Sequence, residues 1–374
     1  MITFISLAPF PTTKAYGVTL KNTFDAAIDS GYEARIIAPN QLHPQDFKLK
    51  ILNLIMEGLR HTYREGWVIR GRVGFFLHRC LFFLYLLGEI PSLKNDILWL
   101  RDIRLAHYFS KYLKSQIVLE IHQVPNRFEL QLLKKLSNKT IIAPISLQIS
   151  NVIQGVIPRV ELTLLPMGVP AYFFEEADKK PNVQFSLGYF GNFKSSGYSQ
   201  GLEEMICDLE PLFRSDASFH VFIAGVGEDG YSVLTELSQR LGIQDRLLVV
   251  KYLDHQEVPG KMKECGALVI PYPEGPYFAS RFPIKAMEYA SVKVPILCSN
   301  TESHNNIFNS SEVWFYDPEK KGDLHAKAQM LYTSPKEAAL KSLLAFQKST
   351  HFTYRNRFKR IKDRLDGIKM ENEK

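Results

Sequence analysis

The sequence predicts an α/β protein of two doubly wound domains facing a cleft, and three observations predict it. The chain has 374 residues, more than one hydrophobic core ordinarily supports. Apolar strand-like runs alternate with helical stretches up to about Leu165, the pattern of a parallel sheet with crossover helices. The stretch "LLPMGVPAYFFEEADKKPNVQ" then breaks the alternation with Pro and Gly turns and a charged run, and the alternation restarts. The expected organisation is a domain over 1–165, a linker over 166–183, a second domain over 184–345, and a basic C-terminal helix over 346–374 that could cross back to the first domain.

The elements follow in order. Ile2–Leu7 reads as the first strand, Val18–Ser30 as a helix closed by Gly31, and "EARIIAP" as the next strand. After a basic stretch and an apolar helix come "DILWLRD", a helix through Tyr112, the strand "QIVLEIH", another helix and the strand "KTIIAPIS". The second domain opens with "FSLGYFGNF", a helix around Leu202–Phe213, "FHVFIAGVG", a helix at Tyr231–Leu241 and "RLLVVKYL". A short helix at Val258–Cys265, the strand "ALVIPYP", the helix-to-strand segment "RFPIKAMEYASVKVPILCSN" and "VWFYDP" complete it. Ligands of such sheets bind at the carboxyl ends of the strands.

A formal net charge of +7 points to anionic partners without choosing among them. Four scattered cysteines, Cys80, Cys207, Cys265 and Cys298, show no metal-ligand spacing and fit a reducing cytosol. The start "MITFISLAPFPTT" lacks the charged opening and apolar length of a secretory signal. Residues 75–90, "FFLHRCLFFLYLLGEI", are too short and too interrupted to span a bilayer. Upstream, Arg60, Arg64, Arg70 and Arg72 interleave with Tyr63 and Trp67, and with Phe75 and Phe76 they form the pattern of an interfacial patch on an anionic membrane. A buried helix behind a solvated basic loop is the other reading of 58–90.

In "RFPIKAMEYASVKVPILCSN", Arg281, Lys285 and Glu288 recur at i, i+4, i+7, which puts all three on one helical face. Read plainly, Lys285 and Glu288 form a surface pair worth a few tenths of a kcal/mol. The order of turns around them points further. "LLPMGVPAYFF", "LGYFGNF", "FHVFIAGVGED", "GALVIPYPEG" and "FPIKAMEYASVKVPILCSN" follow one another as do the linker, first strand, glycine loop, proline turn and "SPLKLFEYMAAGKPVVAS" segment of the GT-B glycosyltransferases of group 1 (family 4). The chain resembles that family most strongly over residues 160 to 300. The first half matches more loosely, through "LWLRD" and through "LEIHQVP", which looks like the family's "Y-E-x-H".

The resemblance implies two Rossmann-like domains and transfer of a sugar, with retention, from a nucleotide-sugar donor. It makes Glu288 the acceptor of ribose hydroxyls. The amides of Ser280, Arg281 and Phe282, with Pro283 and Ile284 opening the helix, would meet the diphosphate, and Arg281 or Lys285 would neutralise it. Gly191, Asn192 and Lys194 fall in the family's phosphate loop, where its usual Arg and Lys are replaced by Asn192 and Gln200. Gly225 and Glu274 are further cleft candidates. In the first domain only Gly17 remains of the usual glycine pair. His122 would sit near the reacting sugar as hydrogen-bond partner or proton acceptor. Arg101 and Asp102 are cleft candidates, or else a buried ion pair.

No D-x-D occurs in the chain, so no metal and no cofactor is expected. The expected partners are a nucleotide-sugar donor and a glycan or lipid-linked acceptor of a cell-surface polysaccharide. The expected setting is the cytoplasm, at the inner face of the membrane if 58–90 binds it. A soluble small molecule or a protein is the other acceptor class, and a non-catalytic nucleotide-sugar-binding subunit the alternative to an enzyme. The first βα turn lacks G-x-G-x-x-G, which sets aside a nicotinamide dehydrogenase. The basic residues fall on no nucleic-acid motif.

Overall fold

Strands buried on both faces read as apolar runs, and those of the first unit do so apart from Thr3, Arg35, Glu120 and Thr140. In the computed structural model, which describes residues 1–8, 10, 15–38, 72–113 and 115–372, β1 (Ile2–Ile5), β2 (Ala34–Ile37), β3 (Ile97–Leu100), β4 (Ile117–Ile121) and β5 (Thr140–Pro144) form one parallel sheet. Its order is β2-β1-β3-β4-β5. The direction of winding reverses between β1 and β3, which opens a crevice at their carboxyl ends. All five residues of β4 are buried, including Glu120, the one polar side chain in the run "IVLEI".

The second unit contains β6 (Phe185–Phe190), β7 (Lys194–Ser195), β8 (Tyr198–Ser199), β9 (Val221–Ala224), β10 (Leu247–Val250), β11 (Cys265–Ile270), β12 (Ile296–Ser299) and β13 (Trp314–Tyr316). Six of these make a parallel sheet ordered β10-β9-β6-β11-β12-β13, which reverses between β6 and β11. The other two, β7 and β8, form a small antiparallel hairpin. Its turn is Ser196–Gly197, both at positive φ (52° and 86°), as a two-residue hairpin turn requires.

The chain divides into Met1–Pro166 with Arg357–Lys374, and Met167–Asn356. The segment expected to be a linker, 166–183, therefore lies almost wholly in the second unit. Val169 and Phe173 are buried in that unit's core, around the short helix Ala171–Glu175, and the Val169 amide donates to the Phe352 carbonyl. The apolar "VPAYFF" is too costly to leave in water, and this outweighs its Pro and Gly content. The later boundary falls at Arg357, inside the helix Tyr354–Asn372. From there on Arg357, Phe358, Ile361 and Leu365 form a buried stripe, with Phe358 stacked on Trp99 at 5.9 Å between centroids.

The helix expected over Leu202–Phe213 is two, Leu202–Asp208 and Glu210–Ser215, because Pro211 suits a helix start and not an interior. Helices Asp323–Thr333 and Pro335–Ser349 complete the second unit. Arg60, Tyr63, Arg64, Trp67 and Arg70 lie outside the described residues, and Arg72, Phe75 and Phe76 enter only as the start of the helix Arg72–Leu93. Among the described residues no helix is long and apolar enough to cross a membrane.

Between β6 and β11 the strands meet at Gly188, where a Cβ would lie 2.4 Å from Cys265 Sγ and 3.0 Å from Phe190 Cε2. Gly188→Ala should therefore cost about 1–3 kcal/mol through overpacking. Urea unfolding should show the loss, and adding Cys265→Ala should restore part of it. An unchanged midpoint in the single variant would remove this contact from the account.

Candidate active site

In the second unit the loop after β6 turns sharply at Gly191 (φ 146°), and its amide donates to the Ala224 carbonyl at 2.8 Å. A Cβ on Gly191 would lie 2.2 Å from Lys285 Nζ. Only hydrogen leaves room for that ammonium. Lys285 Nζ donates to Tyr189 Oη at 2.8 Å and stands 4.2 Å from the Tyr189 ring centre and 5.4 Å from that of Tyr272. Tyr189 in turn donates to the Asn192 carbonyl. Burial pushes the Lys285 pKa down to about 7, against the opposing pull of Glu288. The end of β9 also comes close, for a Cβ on Gly225 would touch the Gly191 backbone at 3.4 Å.

Glu288 lies within the helix Ile284–Ser291. Among the described residues its ion pair is with His255, Nε2 to Oε1 at 3.5 Å, and not with Lys285. His255 Nδ1 is hydrogen-bonded to the Tyr172 hydroxyl. Burial works against the imidazolium, and the Glu288 carboxylate outweighs it, so the His255 pKa is raised. His255 and Tyr172 were not among the sequence candidates.

Arg281 precedes the helix and so does not share its face as the i, i+4, i+7 spacing implied. Its guanidinium lies 4.2 Å over the Tyr277 ring, which stacks on Tyr198 and bonds Ser195 Oγ at 2.8 Å. The β7–β8 hairpin is thus held beside Arg281. The amides of Ser280 and Arg281, expected to meet a diphosphate, are bonded to the carbonyls of Pro276 and Phe278. The cause is the extra turn of helix Pro276–Ala279, which runs straight into them. Ser280 Oγ donates to the Tyr277 carbonyl, Phe282 packs on Phe352, and Pro283 caps the helix before Ile284. Lys194 and Asn192 are exposed, Glu274 is exposed on the loop after β11, and Gln200 is buried.

In the first unit Glu120 gathers four partners. Trp99 Nε1 donates to its Oε1 at 2.7 Å, and Arg357 Nη2 pairs with the same oxygen at 2.9 Å. Arg101 Nε reaches Oε2 at 3.0 Å and His122 Nε2 the same atom at 2.6 Å. Burial alone would raise the Glu120 pKa, but Arg357, Arg101 and His122 hold it well below the usual carboxylate range. Burial, with Arg101 adding to it, lowers the His122 pKa to about 4, so the ring is neutral near pH 7. Its Nε2 proton then goes to Glu120, and Nδ1 keeps its lone pair. Arg101 is thus ion-paired to Glu120, while Asp102 accepts the amides of Arg104 and Leu105 as cap of the helix Ile103–Tyr112. Gly17 is buried in the first turn of the helix Ala15–Asp29.

These two clusters stand at the strand ends where doubly wound sheets bind ligands. Residues 176–342 match the model of the family described as glycosyl transferases group 1. No curated protein matches the sequence. The fold is similar to that of sucrose-phosphate synthase from Thermosynechococcus elongatus, with TM-score 0.72, 13% identity and 99% of each chain covered. It is similar to HepE of Anabaena in complex with UDP and glucose (TM-score 0.65, 11% identity, 98% and 99% covered). A third likeness is to the lipopolysaccharide outer core galactosyltransferase WaaB (TM-score 0.63, 16% identity, 98% and 99% covered). The architecture is GT-B, two Rossmann-like units. Within it residues 176–342 are similar to the group 1 glycosyl transferases.

Glu120→Gln would leave two guanidiniums short of their counter-charge in a buried setting. The expected cost is about 3–5 kcal/mol, as for breaking a buried ion pair. Urea unfolding followed by tryptophan emission should register it, because Trp99 donates to this carboxylate.

Proposed function

We propose that the protein transfers a sugar from a nucleoside-diphosphate donor to a glycan or lipid-linked acceptor, with retention of configuration and without a metal ion. The observation that carries the donor half is the pairing of Lys285 under Gly191 with Glu288 one turn further along the same helix, inside the group 1 match. A carboxylate accepts from two vicinal hydroxyls, and a cation beside an open backbone suits a diphosphate. HepE, similar in fold, binds UDP and glucose.

Glu288 takes the ribose, held in place by His255, which Tyr172 buttresses. Lys285 and Arg281 meet the negative charge that grows on the leaving diphosphate, the task a metal performs in other transferases. On the acceptor side, neutral His122 offers Nδ1 as hydrogen-bond or proton acceptor, fixed by Glu120. The acceptor hydroxyl attacks the anomeric carbon from the face the diphosphate leaves, its proton passing to the departing oxygen.

Glu288→Ala should weaken nucleoside-diphosphate binding by about 1.5–3 kcal/mol, the worth of hydrogen bonds to a charged group. Calorimetry with a panel of nucleoside diphosphates decides this, and equal binding by the variant would take Glu288 out of the site. EDTA should leave turnover unchanged.

The Lys285 pKa of about 7 gives a signed pH dependence. Below it the free protein already holds the ammonium that a diphosphate favours, and above it binding must take up a proton. Affinity should therefore fall as pH rises from about 7 to 9, by up to about tenfold per unit. Lys285→Met should bind more weakly at pH 6 and lose this slope. A slope that survives the substitution would assign the proton elsewhere.

A further inference from the structure

The first unit also contains a cavity of about 450 Å³ that the donor reading leaves unused, within the size range of ligand pockets. Leu7 after β1 and Asp102 after β3 line it, which places it at the carboxyl ends of the two strands where the winding reverses. Its wall is an aromatic row. Phe83 meets Tyr108 edge-on at 4.7 Å, Tyr108 meets Tyr112 at 4.7 Å, and Phe128 stands on the neighbouring helix Arg127–Leu133. Tyr112 and Phe128 are 58% and 57% exposed, an unusual placing for rings that size unless something covers them.

Asp102 apart, the charged part of the lining is basic. Arg104, His107 and Lys111 recur at i, i+3, i+7 on the helix Ile103–Tyr112 and all line the cavity. The Arg104 guanidinium lies 5.6 Å over Phe128 and the Lys111 ammonium 5.3 Å over Tyr112. Among the described residues neither cation has an ion pair, and His107 Nδ1 is buried without a hydrogen-bond partner. The carboxylate of Asp102 accepts the amides of Arg104 and Leu105.

We propose that this cavity receives the acceptor as a single anionic amphiphile, its hydrocarbon chain along the aromatic row and its phosphate head among Arg104, His107 and Lys111. The proposal rests on the glycosyltransferase reading for the role of acceptor only. Apolar area alone would suit any hydrocarbon, and cations alone any anion. Their interleaving on one helix selects a molecule that carries both. A free glycan fits less well, since most of this lining is apolar and would leave many of its hydroxyls without partners.

The test uses the full chain and farnesyl phosphate, farnesol and inorganic phosphate as probes, below the micellar concentration, followed by equilibrium dialysis. Farnesyl phosphate should bind one molecule per chain, at least tenfold tighter than either of the others. Arg104→Ala with Lys111→Ala, both exposed positions, should weaken farnesyl phosphate at least tenfold and leave farnesol unchanged. Phe128→Ala should weaken farnesyl phosphate and farnesol alike. Equal binding of farnesyl phosphate and farnesol, indifference to the double substitution, or binding to anionic vesicles without binding of monomeric farnesyl phosphate would overturn the proposal. Nucleoside-diphosphate titration of the same samples separates the two readings. Loss of that binding with farnesyl phosphate retained refutes the donor assignment alone, and the reverse refutes the cavity alone.

Discussion

The carboxylate of Glu120 is the constraint around which the first unit is organised. A charge taken wholly out of water costs several kcal/mol unless every lone pair is met. Here both oxygens are met twice, by Trp99 and Arg357 on one and by Arg101 and His122 on the other. One of those partners comes from the far end of the chain. Arg357 is nearly fully buried, and it also donates to the Pro166 carbonyl and the Thr23 hydroxyl. The C-terminal helix is therefore part of the first unit's interior, with Phe358 laid on Trp99 beside it. A single carboxylate joins the strand that carries the catalytic candidate to the helix that completes the unit.

This arrangement was partly legible in the sequence. The strands and most helices were, because buried strands of a parallel sheet read as apolar runs and amphipathic helices repeat every three to four residues. Glu120 carried its own signal, a lone acid inside "IVLEIH", since acids are almost never fully buried unless paired. Arg357 carried none. It is one of several basic residues in "TYRNRFKRIKDRL", and composition cannot say which faces inward. His255 sits in a loop with no periodic context, and its link to Glu288 is a contact between distant segments. The hairpin at Ser196–Gly197 did have a signal, the Ser-Gly pair, but its strands are two residues long, below what alternation reveals.

The pair Lys285 and Glu288 shows why spacing alone is a weak guide. Three residues apart on a helix, they would ordinarily be read as a solvated ion pair. In the structure each turns to a different neighbour, Lys285 to Tyr189 and Glu288 to His255. Separation leaves the ammonium desolvated against two tyrosine rings and the carboxylate held by an imidazole. Neither charge neutralises the other, so no mutual pair has to be broken before either meets another group. The glycine at 191 is what permits it, and the sequence placed that glycine without showing what would fill the space above it.

Asn192 and Gln200, which stand where the resemblance places cations, gain a physical reading from the same geometry. Where the family's pattern has an Arg and a Lys, this chain has Asn192, exposed, and Gln200, buried. The loop is not left loose. Tyr198 and Tyr277 stack at 4.2 Å, Ser195 bonds the Tyr277 hydroxyl, and the Arg281 guanidinium lies over the same Tyr277 ring. Arg281 is therefore positioned by aromatic surface, which a guanidinium tolerates better than an ammonium because it is more weakly hydrated. Lys285, the more deeply placed cation, pays for its burial with a pKa near neutrality. The charge in this pocket thus depends on what occupies it. On the proposed reading, an anion brought against Gly191 would return the proton that burial disfavours, so a site short of fixed cations would still complement a diphosphate.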